Sequence, residues 1–361
     1  MMIERVRRTK ALADKEPEAT VTVIIPCYNY AHYLPDAVRS VLSQEDVRVD
    51  VVIVDDASTD DSLNVARRLA EDPRVKVVPH VRNMGPVRTF NDGLLEASGE
   101  FLVRLDADDL LTPGSLRRAV AVMRHHPSVG LVYGHPVHFL GNQVPQHYRS
   151  RATAWTIWPG RSWLAARCRT ATNVITSPEV LMRRLVVDLV GGQQPLAHTH
   201  DMEMWLRMSA FSDVAFIHGA DQAWHREHAK SLSVREVDCL RDLHERREAF
   251  EVLFSGIAGR LPEAPALHDM AKAALAAVAV DYAKRQFDRP QARMALISAL
   301  QDFARAITGD DRNVTGLASL ERRARMGTTI ARRHPIFVLE RIARGLRMRH
   351  SRWQWKRTGE W

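Results

Sequence analysis

The segment LDADD at residues 105–109 places three carboxylates within four positions, directly after an apolar run. Carboxylates this close repel one another unless a positive charge lies among them, and a divalent cation that also bridges phosphates is the usual solution. If the segment is extended, Asp106 and Asp108 share one side, so that one contacts a sugar or ribose and the other a metal. A solvated acidic turn is the alternative interpretation, because a DxD triplet is frequent by chance.

A second acidic pair, Asp55-Asp56, also follows an apolar run and is itself followed by Ser58, Thr59 and Asp60. Carboxylates at this point can accept hydrogen bonds from a nucleobase N–H or from ribose hydroxyls. Capping of the next helix explains one of these residues, but it does not explain two adjacent aspartates.

The first apolar run ends in Pro26, Cys27, Tyr28 and Asn29. An aromatic ring and an amide here can stack on a base and bind it by hydrogen bonds, whereas a turn made by Pro and Asn is the alternative. Neither a GxGxxG motif nor a GxxxxGK[ST] phosphate loop is found at the appropriate position, which argues against a dinucleotide site and a P-loop.

Two later segments carry further candidates. Asp201 begins a predicted helix, so it is either a helix N-cap aided by Glu203 or a general base. His198 and His200 lack a third ligand at a suitable spacing, so a metal site there is weakly indicated. The segment 224–231, WHREHAKS, suits a diphosphate or a metal, but it could equally be a polar loop.

Alternating strands and helices must position these residues. Strands are predicted at Val21–Ile25, Val51–Val54, Val75–Val78, Phe101–Leu105 and Val129–Tyr133. Helices are predicted at Tyr33–Leu42, Ser62–Ala70, Pro86–Ala97 and Pro113–His125, the last capped by Thr112. This order is typical of an open parallel sheet with right-handed crossovers, whose ligands bind at the carboxyl ends of the strands.

The remainder of the chain is predicted to be increasingly helical. The first predicted elements are a strand at Thr172–Ser177, a helix at Pro178–Val190 that two glycines end, a helix at Asp201–Phe211 and a strand at Val214–Ile217. Three helices follow, at Arg235–Phe254, His268–Phe287 and Pro290–Ile307. The last two helices are predicted to form an antiparallel hairpin.

Composition excludes several classes of protein. The chain has 361 residues, of which 45% are hydrophobic and 26% charged, so it is globular. The net charge of +8 comes from residues 318–361, which contain eleven Arg and one Lys against three Glu. Because the rest of the chain is nearly neutral, the basic balance does not indicate a nucleic-acid partner. Three scattered cysteines, no secretory signal and no apolar run long enough to span a membrane predict a cytoplasmic protein.

The basic tail has its own pattern. Ile336, Leu339, Ile342 and Leu346 fall on one helical face, with arginines elsewhere and tryptophans following. One interpretation is peripheral contact of residues 335–361 with anionic lipid at the inner face of the membrane. The other, which the sequence slightly favours, is a helix that docks its apolar stripe on the catalytic domain while its arginines face solvent.

Taken in order, the segments VTVIIPCYNY, VVIVDDASTDDS, VRNMGPVRTFNDGL, GEFLVRLDADD and HDMEMWLRMS resemble glycosyltransferase family 2. The resemblance runs from about Val21 to about Ser233. It implies an α/β protein of the GT-A fold, a Rossmann-like open and mostly parallel sheet with helices on both faces, here followed by a C-terminal helical region. It also implies inverting transfer of a sugar from a nucleotide-diphosphate sugar to an acceptor hydroxyl or amine.

The resemblance further implies roles for individual residues. Asp201 would be the general base, and Asp108 would bind Mg²⁺ or Mn²⁺, with His228 near the diphosphate as a weaker ligand. Asp109 would assist the metal or cap the next helix. The nucleotide-sugar site would comprise Pro26, Tyr28, Asn29, Asp55, Asp56, Arg82, Asn83, Gly85 and Asp106. One departure is His200, which stands where the family commonly has Glu.

These considerations predict an N-terminal extension at 1–20, a GT-A domain at 21–234, a helical region at 235–310 and a basic amphipathic tail at 311–361. An alternative function is a catalytically impaired sugar-nucleotide-binding module that scaffolds a membrane-associated glycan assembly. A third, nucleotidyl transfer, lacks the Gly-rich basic loop that such enzymes usually carry. The sequence specifies neither the acceptor nor the oligomeric state.

Overall fold

The computed structural model describes residues 6–12, 19–228, 239–309 and 314–359. Its contacts divide the chain into two compact units. The first comprises the described residues up to Leu164 and from Val174 to residue 228, and the second comprises Ala165–Asn173 and the described residues from 239 onward. The sequence-predicted domain boundaries near residues 234 and 310 fall at segments outside the described residues.

Ten strands form one sheet in the first unit. They are β1 (Arg7–Lys10), β2 (Ala19–Cys27), β3 (Val47–Asp55), β4 (Val75–Pro79), β5 (Phe101–Arg104), β6 (Leu110–Leu111), β7 (Val129–Leu140), β8 (Ser150–Trp158), β9 (Leu181–Arg183) and β10 (Asp213–Glu227). The helices up to residue 228 are α1 (Leu34–Leu42), α2 (Ser62–Leu69), α3 (Pro86–Glu96), α4 (Ser115–His125), α5 (Gly160–Thr170), α6 (Arg184–Val190) and α7 (His200–Ser209).

The strands follow the order β1-β8-β10-β7-β9-β5-β2-β3-β4, and β6 pairs with β10. Strands β5, β2, β3 and β4 are parallel neighbours, and β10 runs parallel to β7. The pairs that β9 forms with β5 and β7, and that β8 forms with β1 and β10, are antiparallel. Because β5, β2 and β3 are adjacent and parallel, the segments that follow them emerge at the same edge of the sheet.

Helices cover both faces of this sheet. Val21, Val23 and Ile25 of β2 belong to a core cluster that also contains the apolar faces of α1 and α4. On the other face, α3 packs so closely that a Cβ added at Gly93 would lie 2.4 Å from the side chain of Ile24. The open α/β sheet with helices on both faces, predicted from the sequence, is therefore confirmed.

Strand β10 is far longer than the predicted Val214–Ile217. Polar residues in its second half interrupt the apolar pattern, so the sequence predicts only the first part of the strand. Gln222 accepts a hydrogen bond from Arg118, and Asp221 accepts from the backbone N–H of Arg149. Trp224 is buried and pairs with Leu110 of β6. The loop interpretation of residues 224–227 is therefore wrong, whereas residues 229–231 lie outside the described residues.

Three local predictions are also wrong. The Thr112 hydroxyl donates to the carbonyl of Asp221 and caps no helix, since α4 begins at Ser115 after Gly114 in the left-handed region. Residues 172–177 form no strand, and the segment 178–190 is divided between β9 and α6. Apolar runs this short fit the periodicity of a helix and that of a strand equally well. Residues of β9 form a strand because they pair with β5 and β7.

The second unit is helical, as the sequence predicts. Its helices are α8 (Cys239–Ser255), α9 (Ala264–Phe287), α10 (Met294–Thr308), α11 (Leu317–Arg333) and α12 (Pro335–Thr358), with a short 3-10 helix at Ile257–Arg260. Helices α9 and α10 pack together as the predicted hairpin. In the described part of the chain, no helix combines the length and apolar character that a membrane span requires.

Within the second unit, the described residues leave the apolar stripe of helix α12 exposed. Its Arg341 and Arg344 instead turn toward Asp281 and Asp288 of the α9 region, while Leu346 and its apolar neighbours are exposed. The expectation that the arginines of α12 face solvent is therefore wrong for Arg341 and Arg344, because the partly buried carboxylates of Asp281 and Asp288 attract them.

Candidate active site

The loops that follow β2 and β3 are tied together by Asn29. Its side-chain oxygen accepts hydrogen bonds from the backbone N–H groups of Thr59 (2.7 Å) and Asp60 (3.2 Å). Its own N–H donates to the Ser58 hydroxyl, and its φ of 61° lies in the left-handed region, which Asn tolerates well. Asp60 also accepts from the N–H of Ser62, the first residue of α2, but the N-cap position of this helix is Asp61, whose side chain makes no capping hydrogen bond.

Asp56 is buried, and the protein uses both of its carboxylate oxygens. One oxygen accepts from Met84 N–H (2.7 Å) and contacts His80 Nδ1 (2.8 Å), and the other accepts from Gly85 N–H (2.9 Å). The Asn83 amide donates to the Asp56 carbonyl. Asp56 therefore positions the loop that begins α3, in which Gly85 has a φ of 82°. Arg82, in the same loop, is exposed.

Asp55 differs from its neighbour. It is buried, and its Oδ2 accepts from the N–H of Ser58 (3.1 Å), whereas its Oδ1 has no hydrogen-bond donor among the described residues. Pro26 lies at the end of β2 and Tyr28 follows it with an exposed ring. The edge thus combines an aromatic surface with a carboxylate oxygen that still has acceptor capacity.

The acidic segment after β5 is a turn, since the N–H of Asp109 donates to the carbonyl of Asp106 (3.0 Å). The expectation of an extended segment is therefore wrong. Asp106 forms an ion pair with Arg104 (2.9 Å), and Asp108 Oδ2 lies 2.8 Å from His228 Nε2.

The Asp109 carboxylate contacts β10. It is buried, accepts from the backbone N–H of Arg226 and contacts His225 Nδ1 at 3.1 Å. It therefore anchors the turn to β10, and it does not cap the next helix, whose N-cap is Gly114. The guanidinium of Arg226 lies between the rings of Tyr33 and Phe139, 4.3 and 4.6 Å from their centroids.

The electrostatics of the turn favour a cation. Burial and the charge of Asp106 raise the pKa of Asp108. Burial and the charge of Asp108 likewise raise the pKa of Tyr30. Burial works against the charged form of His225, but the hydrogen bond and charge of Asp109 raise the pKa of that imidazole to about 9. Negative charge on neighbouring aspartates contributes to all three shifts, although burial is the largest cause for Asp108 and Tyr30.

The donor set fits a divalent cation that obtains most of its ligands from a phosphate group. Asp108 supplies a carboxylate and His228 an imidazole, both ligands that Mn²⁺ accepts. Throughout residues 6–12, 19–228, 239–309 and 314–359, no group of three or more His, Cys, Asp or Glu side chains is arranged to hold a metal. A metal held by these two residues would therefore depend on the diphosphate for the rest of its coordination shell.

Asp201 lies in the first turn of α7, and Thr199 occupies the N-cap position. Its Oδ2 accepts a hydrogen bond from the hydroxyl of Ser177 (3.0 Å). Ser177 is buried with a φ of 138°, and its N–H donates to Glu179. Ser177 is held in a strained backbone conformation, and its hydroxyl binds the candidate base Asp201. This arrangement indicates that Ser177 positions the Asp201 carboxylate.

The loop before α7 is fixed from two sides. Arg207 forms a buried ion pair with Glu203 and donates to the carbonyls of Gly191 and Gly192. The Asn91 side chain of α3 exchanges two hydrogen bonds with the backbone of Gln193. These contacts hold the start of α7 in a defined position relative to α3.

His200 is the first residue of α7 and is buried directly before Asp201. Burial, followed by the charge of Arg104, lowers its pKa, while Asp201 and Asp106 act in the opposite direction. The side chain is therefore neutral near pH 7, and its Nδ1 has no partner among the described residues. The negative charges of Asp201 and Asp106 both favour the protonated form of His200, but burial and the charge of Arg104 outweigh them.

Sequence reasoning missed Ser177, Arg226 and Asn91. Ser177 ends a segment that the sequence predicts to be a strand, and the side chain of Asn91 meets Gln193 across 102 residues of sequence. Arg226 and Asn91 both lie in segments that the sequence analysis quotes, WHREHAKS and VRNMGPVRTFNDGL, but neither residue has an assigned role there.

Comparisons with known proteins give a family match, curated relatives and solved structures of similar fold. The family model described as "Glycosyl transferase family 2" matches residues 22–188. An uncharacterized glycosyltransferase of Nostoc sp. is 42% identical over 114 residues, which cover 31% of this chain and 35% of that protein. Succinoglycan biosynthesis protein ExoO of Rhizobium meliloti is 39% identical over 107 residues, 30% of each chain. The chain thus spans about a third of the length of these relatives.

Solved structures share the fold. Staphylococcus aureus TarS 1-349 in complex with UDP-GlcNAc superposes with a TM-score of 0.55 at 16% identity, covering 81% of this chain and 91% of TarS. Mannosyltransferase PcManGT from Pyrobaculum calidifontis, in complex with GDP-Man and Mn²⁺, gives 0.52 at 22% identity, covering 86% and 82%.

Proposed function

The chain belongs to glycosyl transferase family 2 through residues 22–188, and from this premise we propose that it is an inverting, metal-assisted glycosyltransferase. The donor is a nucleotide-diphosphate sugar, the cofactor is Mg²⁺ or Mn²⁺, and Asp201 is the general base. The acceptor carries a hydroxyl or an amine.

One observation carries this proposal. Asp55, with an unpartnered carboxylate oxygen, and the Asp108–His228 pair follow strands whose carboxyl ends emerge at the same edge of the sheet. A nucleobase N–H would satisfy the Asp55 oxygen, and a diphosphate would complete the coordination of a cation at Asp108. The two ends of a nucleotide diphosphate thus have matching partners.

The chemistry follows from the charge that develops during transfer. A sugar nucleotide loses its sugar by releasing a nucleoside diphosphate, so negative charge grows on the phosphate oxygens. A divalent cation at Asp108 and His228, when bound, supplies Lewis-acid stabilisation of that charge. Tyr28 and Asn29 shape the nucleotide side of the site, and Asp106, held by Arg104, faces the ribose or sugar.

The acceptor hydroxyl must lose its proton as it attacks, because its pKa lies far above neutrality. Asp201 takes that proton, and the Ser177 hydroxyl holds its carboxylate in place. Inversion requires attack from the face opposite the leaving group. A base on α7, separate in sequence from the acidic turn after β5, is consistent with this requirement.

A second candidate function is a sugar-nucleotide-binding module with impaired catalysis, which scaffolds a membrane-associated assembly. The observation that favours it is His200, a neutral imidazole next to the base where the family commonly has Glu. Peripheral membrane contact through residues 335–361 belongs to both candidates.

The test begins with thermal-shift measurements of UDP, dTDP and GDP with and without Mn²⁺, since a ligand of the folded state raises the melting temperature. Donor hydrolysis and transfer are then measured for the wild type, for Asp201→Asn and for Asp188→Asn, an exposed aspartate of α6. We expect Asp201→Asn to lower kcat about 100-fold or more while nucleotide affinity is retained. Full activity in Asp201→Asn would exclude the base, and tight binding without turnover in the wild type would favour the scaffold.

A further inference from the structure

Helix α12 is held to its own unit by its arginine face. Arg344 forms ion pairs with Asp281 and Asp288, and Arg341 lies 3.3 Å from Asp288. On the same side, Phe337 is fully buried beneath the guanidinium of Arg323, 4.0 Å from the ring centroid. These contacts determine which side of the helix faces inward, and they involve mainly charged groups.

The opposite side of α12 is apolar and exposed. Its residues, which recur at helical spacing, are Leu339 (64% exposed), Ile342 (55%), Leu346 (60%) and Trp353 (53%). A surface helix normally shows the reverse arrangement, with its apolar stripe inward and its charges in solvent. Ion pairs on the inner side of α12 hold the helix with its apolar stripe facing outward. An exposed apolar stripe of this kind is typical of an interaction surface.

Basic residues border this stripe. Arg347, Arg349 and Arg357 are exposed, and the sequence contains no acidic residue between Arg341 and Gly359. The guanidinium of Arg357 lies 4.6 Å from the ring centroid of Trp353. An aromatic ring with an adjacent cation is typical of side chains at the boundary between hydrocarbon and phosphate.

We propose that the exposed face of α12 docks on an anionic lipid bilayer, with Leu339, Ile342, Leu346 and Trp353 inserted below the headgroups. The helix lies parallel to the surface, and Arg347, Arg349 and Arg357 contact lipid phosphates. Anionic lipid offers both an apolar phase for the stripe and negative charge for its border. This inference does not depend on sugar transfer.

Charge complementarity selects a bilayer over a second copy of the chain. Two α12 helices that met along this stripe would bring their arginine borders together, with no acidic residue between 341 and 359 to compensate. Like charges at an interface oppose association, whereas anionic headgroups attract the same border.

The experiment is flotation of the full chain with vesicles. Wild-type protein should float with vesicles of equimolar phosphatidylcholine and phosphatidylglycerol, bind phosphatidylcholine vesicles far less, and be released by high salt. In the double variant Leu339→Gln/Leu346→Gln, the lipid concentration for half-maximal binding should rise about tenfold or more. Arg347→Ala/Arg349→Ala should also weaken binding about tenfold, and only to anionic vesicles.

Leu185→Gln, which alters a leucine of α6 that is 75% exposed, is the matched control and should bind as the wild type does. Melting temperatures of all variants establish that each chain is folded. Failure of the wild type to float at low salt would overturn the proposal, as would wild-type binding by Leu339→Gln/Leu346→Gln. Concentration-dependent dimerisation that this variant abolishes, without vesicle binding, would assign the face to a second copy instead.

Discussion

The hydroxyl of Ser177 lies 3.0 Å from Oδ2 of Asp201, and it donates the hydrogen bond that fixes this carboxylate. Ser177 itself is held at a φ of 138° by the hydrogen bonds that Glu179 accepts from the backbone of Thr176 and Ser177. A non-glycine residue in this region costs about 1 kcal/mol or more. The fold therefore maintains an unfavourable backbone conformation that places a hydroxyl on the proposed base.

Two substitutions distinguish the effect of losing the Ser177 hydroxyl from the effect of the strained backbone at this position. Ser177→Ala and Ser177→Gly both remove the hydrogen bond to Asp201, so each should lower kcat about tenfold with little change in nucleotide affinity. Glycine adopts positive φ freely, so Ser177→Gly should be more stable than Ser177→Ala by about 1 kcal/mol. Steady-state kinetics and chemical denaturation measure the two effects.

Ser209→Ala is the matched control, because Ser209 is a buried serine of α7 whose hydroxyl donates to the Leu206 carbonyl. It should keep wild-type kcat. Equal kcat in Ser177→Gly and the wild type would show that the hydroxyl does not position the base.

Asp55 and Asp56 are adjacent and chemically identical, yet their carboxylates have different hydrogen-bond partners. Asp55→Asn keeps an oxygen for the Ser58 N–H and places a donor where the unpartnered oxygen was, so nucleotide binding should weaken about tenfold at near wild-type stability. Asp56→Asn places an amide against the N–H groups of Met84 or Gly85, so it should lower the free energy of unfolding by about 2 kcal/mol.

Calorimetry of nucleoside diphosphate binding and urea denaturation give both quantities for each variant. The two variants control for each other, since each removes one negative charge at neighbouring positions. A reversal of the two effects, or an identical response in both, contradicts the assignment.

Removal of the cation should weaken binding of the diphosphate. If Asp108 and His228 hold Mn²⁺, chelation by EDTA should reduce the affinity for the nucleoside diphosphate about tenfold or more, and His228→Ala should raise the Mn²⁺ concentration needed for half-maximal binding. Titration calorimetry with and without Mn²⁺ measures both.

Asp61→Asn serves as the control for loss of an acidic group, because Asp61 is an exposed partner of Arg68. Its Mn²⁺ requirement should match that of the wild type. Nucleotide affinity that is independent of Mn²⁺ in the wild type would argue against a metal at this edge.

The parallel part of the sheet could be predicted because β2, β3 and β5 are apolar at nearly every position and are followed by conspicuous polar residues. The course of β10 could not be predicted, since Asp221, Gln222 and Arg226 are buried polar residues that find partners on distant elements. Burial of polar groups depends on tertiary partners, and local sequence does not encode those partners.

The candidate site shows the same division. Asp108 and Asp201 could be proposed from motifs, whereas the role of Asp109 as an anchor for β10 depends on a contact across 117 residues. The orientation of α12 was mispredicted for a related reason. The amphipathic pattern was read correctly, but Asp281 and Asp288 attract the arginine face, and ion pairing between separate helices does not appear in helical periodicity.

Glu340 should make the stability of the second unit depend on pH. Its carboxylate accepts hydrogen bonds from Arg323 (2.8 Å) and the Ser319 hydroxyl (3.0 Å), which join α11 to α12. Burial opposes its charged form, but these hydrogen bonds and the charge of Arg323 lower the pKa of Glu340 overall. A depressed folded-state pKa contributes stability that is fully present above the unfolded value of about 4.3 and is lost as pH falls through the folded value.

The melting temperature of the wild type should therefore exceed that of Glu340→Gln at pH 7, and the difference should shrink below about pH 4. Glu248→Gln, at an exposed position of α8, should show no such difference at either pH. A gap between the wild type and Glu340→Gln that is equally large in acid would mean that the loss comes from packing rather than from the ionised carboxylate.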